Sequence, residues 1–276
     1  MMVKSIVHGA VSIVNAIPLG IGSTLGISLK VVAKVILDKG SGITIINGVD
    51  TSLIKAVINR IIPANILSDH SLSIDIESEI PSGYGLKSSS AVSNALSLAL
   101  TKLFKDEFDD LEVINHAIDA SFDANVTITG AFDDAVACYF GGFFVTDNYA
   151  RKIIRHDDAK IHDVIILLPS NVKRTDPLRM RSLAKLFEEP VRLAKEGMYY
   201  EAMMLNGVIV ASILGIPYQP IKDAIDEGAI AASVSGNGPA IAIITDEKDK
   251  ISEKLSKYGK IINAKTSNIK ASVEVI

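Results

Sequence analysis

The feature that most constrains this chain is a change of hydrophobic period between Leu72 and Leu103. Leu72, Ile74, Ile76 and Ile80 alternate with Ser73, Asp75, Glu77 and Glu79, the period of two that marks a half-buried strand. Pro81 stops it, and the glycine-containing run Ser82 to Lys87 reads as a loop. Beyond it Ala91, Ala95, Leu98, Ala99 and Leu103 recur at three and four residues, the pattern of an amphipathic helix. A strand therefore runs into a glycine loop that opens directly into a helix. Glycines let the backbone turn sharply and approach a ligand with no Cβ in the way. The free amides of a first helical turn, at the positive end of the dipole, form a ready phosphate site. Ser88, Ser89 or Ser90 can cap that helix. Their hydroxyls also suit phosphate oxygens or a magnesium ion, and Lys87 adds positive charge.

Two familiar phosphate loops are excluded. A P-loop needs Lys directly after its final glycine, whereas Leu86 separates Gly85 from Lys87. Gly20 to Gly26 is one residue too long for the dinucleotide fingerprint. Taken alone, Pro81 to Ala91 could still be a serine-capped surface turn. A second stretch, Gly130 to Gly142, sets the paired Asp133 and Asp134 beside an apolar run. Such a pair suits metal binding or general-base work, or else a solvated turn or helix cap. A third, Ser233 to Ala240, is a glycine turn before a strand.

The 276 residues carry 48% apolar and 22% charged side chains, an ordinary globular balance. A net charge of -4 gives no electrostatic case for nucleic acid. The lone Cys138 excludes an intrachain disulfide, fits a reducing cytoplasm and reads as small core filler. Mean hydropathy is +0.32, yet no run approaches the ~18 uninterrupted apolar residues of a membrane span. His8, Ser12 and Asn15 break the N-terminal apolar run that would otherwise pass for a signal peptide, so buried strands and a cytoplasmic location are expected. Val, Ile and Gly between Ser5 and Ile36 suggest short strands with turns. A second helix is expected over Leu111 to Ala124 and a core strand over Val164 to Leu168. Helices follow near Leu178–Glu196, Tyr199–Leu214, Pro220–Glu227 and Glu247–Lys257, with strands at Ala240–Ile244 and near Ile261 and Val273. The class is α+β. Polar residues gather between Thr146 and Asp158, so the expected domains are 1–150 and 151–276.

Together the three stretches resemble the signatures of the GHMP kinases. Pro81-Ser82-Gly83-Tyr84-Gly85-Leu86-Lys87-Ser88-Ser89-Ser90-Ala91 is similar to the P-x-x-x-G-L-x-S-S-A motif. Gly130 to Gly142 is similar to the D-(D/N)-A-V…G-G segment, and Ser235-Gly-Asn-Gly-Pro239 to S-G-x-G-P. Order and separation match over most of the chain. Lys87, where relatives usually carry Gly, resembles the archaeal-type shikimate kinases, as do His8 to Ala16 and Val126 to Asp134.

The resemblance implies an N-terminal α/β domain of the ribosomal S5 domain 2-like type and a ferredoxin-like C-terminal domain. It implies ATP and Mg2+ as cofactors, with the nucleotide over Pro81 to Ala91. Asp133 would accept the hydroxyl proton, with Asp134 the neighbouring alternative, and Ser89 and Asp123 would be metal ligands. Shikimate would be the acceptor, its carboxylate met by Arg174, Arg179 or Arg181, which suit bidentate recognition. A homoserine or mevalonate kinase, or a non-catalytic nucleotide-binding protein on this fold, are the alternatives. No membrane partner is expected, and a homo-oligomer is left open. The chain departs from the usual first signature, because no Lys lies between Ser5 and Leu29.

Overall fold

The computed structural model describes residues 1–47, 51–63, 65–170 and 175–276. Its first sheet is built on β1 (Met2–Val14) and β2 (Ile21–Lys39). These strands are far longer than the short ones expected. Bulges at His8/Gly9 and Ser12/Val14 bend the β1–β2 ladder without ending it. β3 (Gly42–Asn47) is followed by α1 (Thr51–Ile61) and α2 (Ile66–Asp69), then β4 (His70–Ser78). β4 is the predicted alternating strand, with Leu72, Ile74 and Ile76 buried. The helix α1, which buries Leu53, Ile54, Val57 and Ile58, adds to the predicted elements.

Next come α3 (Ser88–Phe104), α4 (Asp110–Asp123), α5 (Phe132–Phe140), β5 (Phe143–Asp147) and β6 (Lys152–Asp157). α3 buries all but a few of its residues, so packing rather than intrinsic propensity holds it. Its small residues let it lie close on β1, where Ser5 Oγ donates to the Ala95 carbonyl at 2.6 Å. Asn94 Nδ2 donates to the Ala135 carbonyl at 2.8 Å and fixes α5 against α3. The paired aspartates thus stand in a helix, not in a solvated turn.

The second sheet comprises β7 (Asp163–Pro169), β8 (Ala231–Val234), β9 (Ile241–Thr245) and β10 (Gly259–Lys265). Its order is β10-β7-β9-β8, with every pairing antiparallel, the ferredoxin-like arrangement expected above. The single helix expected over 178–196 is instead a 3-10 run from Pro177 to Phe187, kinked at Leu183, followed by α6 (Glu188–Lys195). Pro190 explains the restart, because proline is tolerated in a first helical turn and not in a helix interior. α7 (Tyr199–Leu214), α8 (Gln219–Asp226) and α9 (Lys248–Leu255) complete this half.

The first sheet runs β11-β1-β2-β4-β3, with β5 and β6 joined to it through β2, where β11 is Ser272–Val275. The chain therefore leaves the first sheet after Asp157 and returns to it at its end. Two hydrophobic core clusters fill the molecule; Ile17 belongs to one and Leu19 packs against both, so the Asn15–Gly20 turn sits where the two cores adjoin. Among the described residues no helix is long and apolar enough to cross a membrane.

Candidate active site

A cavity of about 540 Å³ opens where the glycine loop, the start of α5 and the Gly236–Gly238 turn converge. Of the predicted loop residues, Gly83, Gly85, Leu86, Lys87, Ser88, Ser89 and Ser90 line it. Pro81, Ser82 and Tyr84 stand outside the lining, and Ala91 is buried in the core. No serine caps α3. The cap residue is Lys87, in the left-handed region at φ +63°, and all three serines fall inside the helix. Among the described residues no side chain caps the first-turn amides, which leaves a phosphate-binding face. Left-handed backbone costs a non-glycine residue roughly 1–2 kcal/mol.

The loop is braced by the third motif. Ser235 Oγ donates to the Gly85 carbonyl at 2.8 Å and accepts from the Ser12 amide at 3.2 Å. A side chain at Gly85 would overlap the Ser235 carbonyl oxygen, so only glycine permits this approach. Asn15 Nδ2 donates to the Gly236 carbonyl at 3.0 Å and to Asn237 Oδ1 at 3.2 Å, while its own amide donates to Asn206 Oδ1 at 3.0 Å. The glycine turn is thus a buttress shared by the two sheets.

Asp133 is buried in the first turn of α5, whose cap, Ala131, is also left-handed at φ +50°. Asn148 grips it twice: Nδ2 donates to Asp133 Oδ1 at 2.7 Å, and Oδ1 accepts from the Asp133 amide at 3.0 Å. Thr146 Oγ1 donates to Asn148 Oδ1 at 2.7 Å, and Asn148 Nδ2 reaches Thr129 Oγ1 at 3.2 Å. Thr24 Oγ1 lies 2.9 Å from Asp133 Oδ2 and 3.2 Å from Asp134 Oδ1. A hydroxyl has one proton to donate, so the two carboxylates share it. Gly22 leaves the room: a Cβ there would overlap Asp133 Oδ2.

Asp134 pairs with Lys87 Nζ at 2.9 Å, both side chains largely buried. Burial, followed by the charge of Asp133, pushes the Asp134 carboxyl up to about 6, against the pull of Lys87 and Thr24. Burial alone would lower the Lys87 ammonium, but Asp134 and then Asp133 outweigh it and raise it. Lys87 is therefore a fixed cation at neutral pH. Buried among these charges, the Cys138 thiol is pushed up, inert as expected of core filler.

Asp123 does not join the site. It is exposed at the end of α4, outside the cavity lining, and Arg60 donates to both its oxygens, Nε to Oδ2 at 2.6 Å and Nη2 to Oδ1 at 2.8 Å. Ser121, earlier on α4, lines the cavity. Arg179 and Arg181 are exposed, Arg181 touching Tyr149 Oη at 3.4 Å, and Arg174 lies outside the described residues. Sequence reasoning missed Thr24, Asn15 and Asn148. Thr146 and Asn148 belong to the polar stretch read as a domain boundary.

Residues 52–142 match the family described as GHMP kinases N terminal domain. The shikimate kinase of Methanobrevibacter smithii is 41% identical over 95% of this chain and 95% of its own. That of Thermococcus kodakarensis is 38% identical over 92% of this chain and 96% of its own. Among solved structures, L. major mevalonate kinase in complex with R-mevalonate superposes with a TM-score of 0.77 at 16% identity, covering 97% of this chain and 96% of that one. A phosphotransferase related to the CoA biosynthesis pathway gives 0.79 at 15% identity, covering 99% of each. These two show the shared fold; the archaeal relatives, close to full length, show more. The chain belongs to the archaeal shikimate kinase family of the GHMP kinases.

Proposed function

We propose that this chain transfers the γ-phosphoryl group of ATP to the 3-hydroxyl of shikimate, giving shikimate 3-phosphate and ADP, a step of aromatic amino acid biosynthesis. The observation that carries the reading is the juxtaposition of an uncapped helix N-terminus with the buried, doubly gripped Asp133 in one cavity. Phosphoryl transfer depends mainly on positioning and on offsetting charge. The amides of the first α3 turn and the Gly83–Gly85 backbone hold the phosphates. Asp133 accepts the hydroxyl proton as the oxygen attacks phosphorus in line. Asn148 and Thr24 keep that carboxylate in one orientation.

Magnesium fits the donor set. Two carboxylates face one lysine, so that single cation leaves most of a triphosphate's charge unmet, and hard oxygens line the cavity. The Ser89 hydroxyl would hold the ion, with phosphate oxygens and water completing its shell. The ion would supply charge neutralisation on the phosphates. Arg174, Arg179 and Arg181 remain the candidates for the acceptor carboxylate. Residues 1–150 and 151–276 remain the proposed domains, with β6 and β11 of the second range completing the first sheet.

ADP release with shikimate, homoserine and mevalonate offered separately tests the reading. Turnover is expected with shikimate alone; turnover with another acceptor only would discard the assignment. Asp133→Asn should lower kcat by about 10³-fold with ATP binding and melting temperature nearly unchanged. Near-normal turnover would remove Asp133 from the reaction.

A further inference from the structure

We propose that Asp134 and Lys87 act as one unit, in which Asp134 is a positioning residue that holds the Lys87 ammonium against the cavity and Lys87 contacts the phosphoryl group in transfer. The inference rests on the kinase reading above and divides the work within the aspartate pair.

The two carboxylates differ in what they touch. Asp133 accepts from neutral donors, Asn148 and Thr24, while Asp134 meets Lys87 Nζ at 2.9 Å. A proton acceptor clamped to a fixed ammonium is a poor base, so the pair separates into one base and one anchor. Lys87 itself is held against backbone preference. At φ +63° a glycine would sit without penalty, so the lysine is kept for what its side chain does. Its location states what that is. Lys87 caps the helix whose free amides face the cavity, and it lines that cavity with Asp133. Across from it Gly236 leaves space, since a Cβ there would stand 3.1 Å from Nζ. An ammonium carries three N–H groups, and Asp134 takes one; the others suit phosphoryl oxygens.

In the step itself the acceptor oxygen bonds to the γ-phosphorus, its proton passes to Asp133, and the bridging P–O bond breaks to release ADP. Lys87 keeps its protons throughout. Charge spread over the transferring group then meets a cation already in place, which is where such stabilisation is most effective.

The test compares K87M, D134N, K87M/D134N and K87G/D134N. K87M and D134N are each expected to lower kcat by about 10²-fold, with Mg·ADP binding by calorimetry near wild type. The K87M/D134N double should be no slower than the slower single. K87G/D134N relieves the left-handed lysine and removes both members of the ion pair, leaving Asp133 to its neutral donors, so its melting temperature should match or exceed wild type while kcat stays low. Recovery of kcat along with stability would make the pair structural and overturn the proposal. Multiplicative losses would break the unit, and a severe D134N beside a mild K87M would make Asp134 the base. Capture of aluminium fluoride by Mg·ADP needs no acceptor turnover and should be lost in K87M and D134N. Wild-type protein that captures it yet ignores shikimate sinks the acceptor assignment and leaves the pair standing. Wild-type protein that captures nothing and turns over nothing overturns both.

Discussion

At Asp134, burial and the neighbouring Asp133 charge push the carboxyl up to about 6. At Asp223, hydrogen bonds from Gln219, Tyr258 and Lys257 hold it well below the usual carboxylate range. Both side chains expose little surface, but burial is the leading cause at Asp134 and is outweighed by hydrogen bonds at Asp223. The partners widen that difference. Asp223 accepts from Gln219 Nε2 at 2.6 Å, Tyr258 Oη at 2.8 Å and Lys257 Nζ at 3.1 Å, three donors for one acid. Asp133 and Asp134 crowd two acids around one lysine and one shared threonine proton. The first arrangement ties α8 to the chain after α9 and serves stability. The second is kept under electrostatic stress, which fits the role proposed for these groups.

Among substitutions outside the aspartate pair and Lys87, the largest effect should come from crowding the stressed cluster further. In Gly22→Ala the added Cβ would overlap Asp133 Oδ2 and force that carboxylate from the grip of Asn148. Displacement on the order of an ångström at a reacting group costs about 10²-fold, so kcat should fall by that much while the acceptor KM moves little. An equivalent small residue added near Asp223 has no such consequence. Unchanged kcat in Gly22→Ala would mean that Asp133 tolerates displacement and that its orientation is not what the site protects.

Much of this contrast was legible in the sequence, and what escaped has physical reasons. The strand, loop and helix from Leu72 to Leu103 were readable because period and punctuation change together there. The aspartate pair was visible, yet not as a helix start, since α5 is short and its cap, Ala131, has no capping side chain. Asn148 and Thr24 lie 15 and 109 positions from Asp133, and only tertiary folding brings such donors to it. The pairing of Asp123 with Arg60 was hidden because position on a helix does not reveal an arginine from another helix. The best overlooked signal was Gly22, a glycine inside a strand, which marks close approach of something else.

A smaller effect is expected from Ser235→Ala, which probes how the site is coupled to the second sheet. The hydroxyl bridges the Gly85 carbonyl and the Ser12 amide, and its loss leaves two buried backbone groups short of a partner, about 1–3 kcal/mol. The Gly83–Gly85 backbone would loosen, so the ATP KM should rise several-fold, with kcat changing less. A variant that loses stability with no change in ATP KM would show that the bridge serves the fold and not the phosphate loop.

The smallest effect on activity should come from Asp223→Asn, which leaves kcat and both KM values at wild-type levels because no part of that cluster lines the cavity. Its effect is on stability, and the sign follows from the direction of the shift. A carboxyl whose folded pKa is depressed below the unfolded value of about 3.9 favours the folded state above that value. The contribution fades as pH falls toward the folded pKa. Thermal melts at neutral pH should therefore place Asp223→Asn a few degrees below wild type, with the gap closing as pH drops below about 4. A gap that persists unchanged at low pH would trace it to lost packing or neutral hydrogen bonds, and the charge contrast with Asp134 would fail at this end.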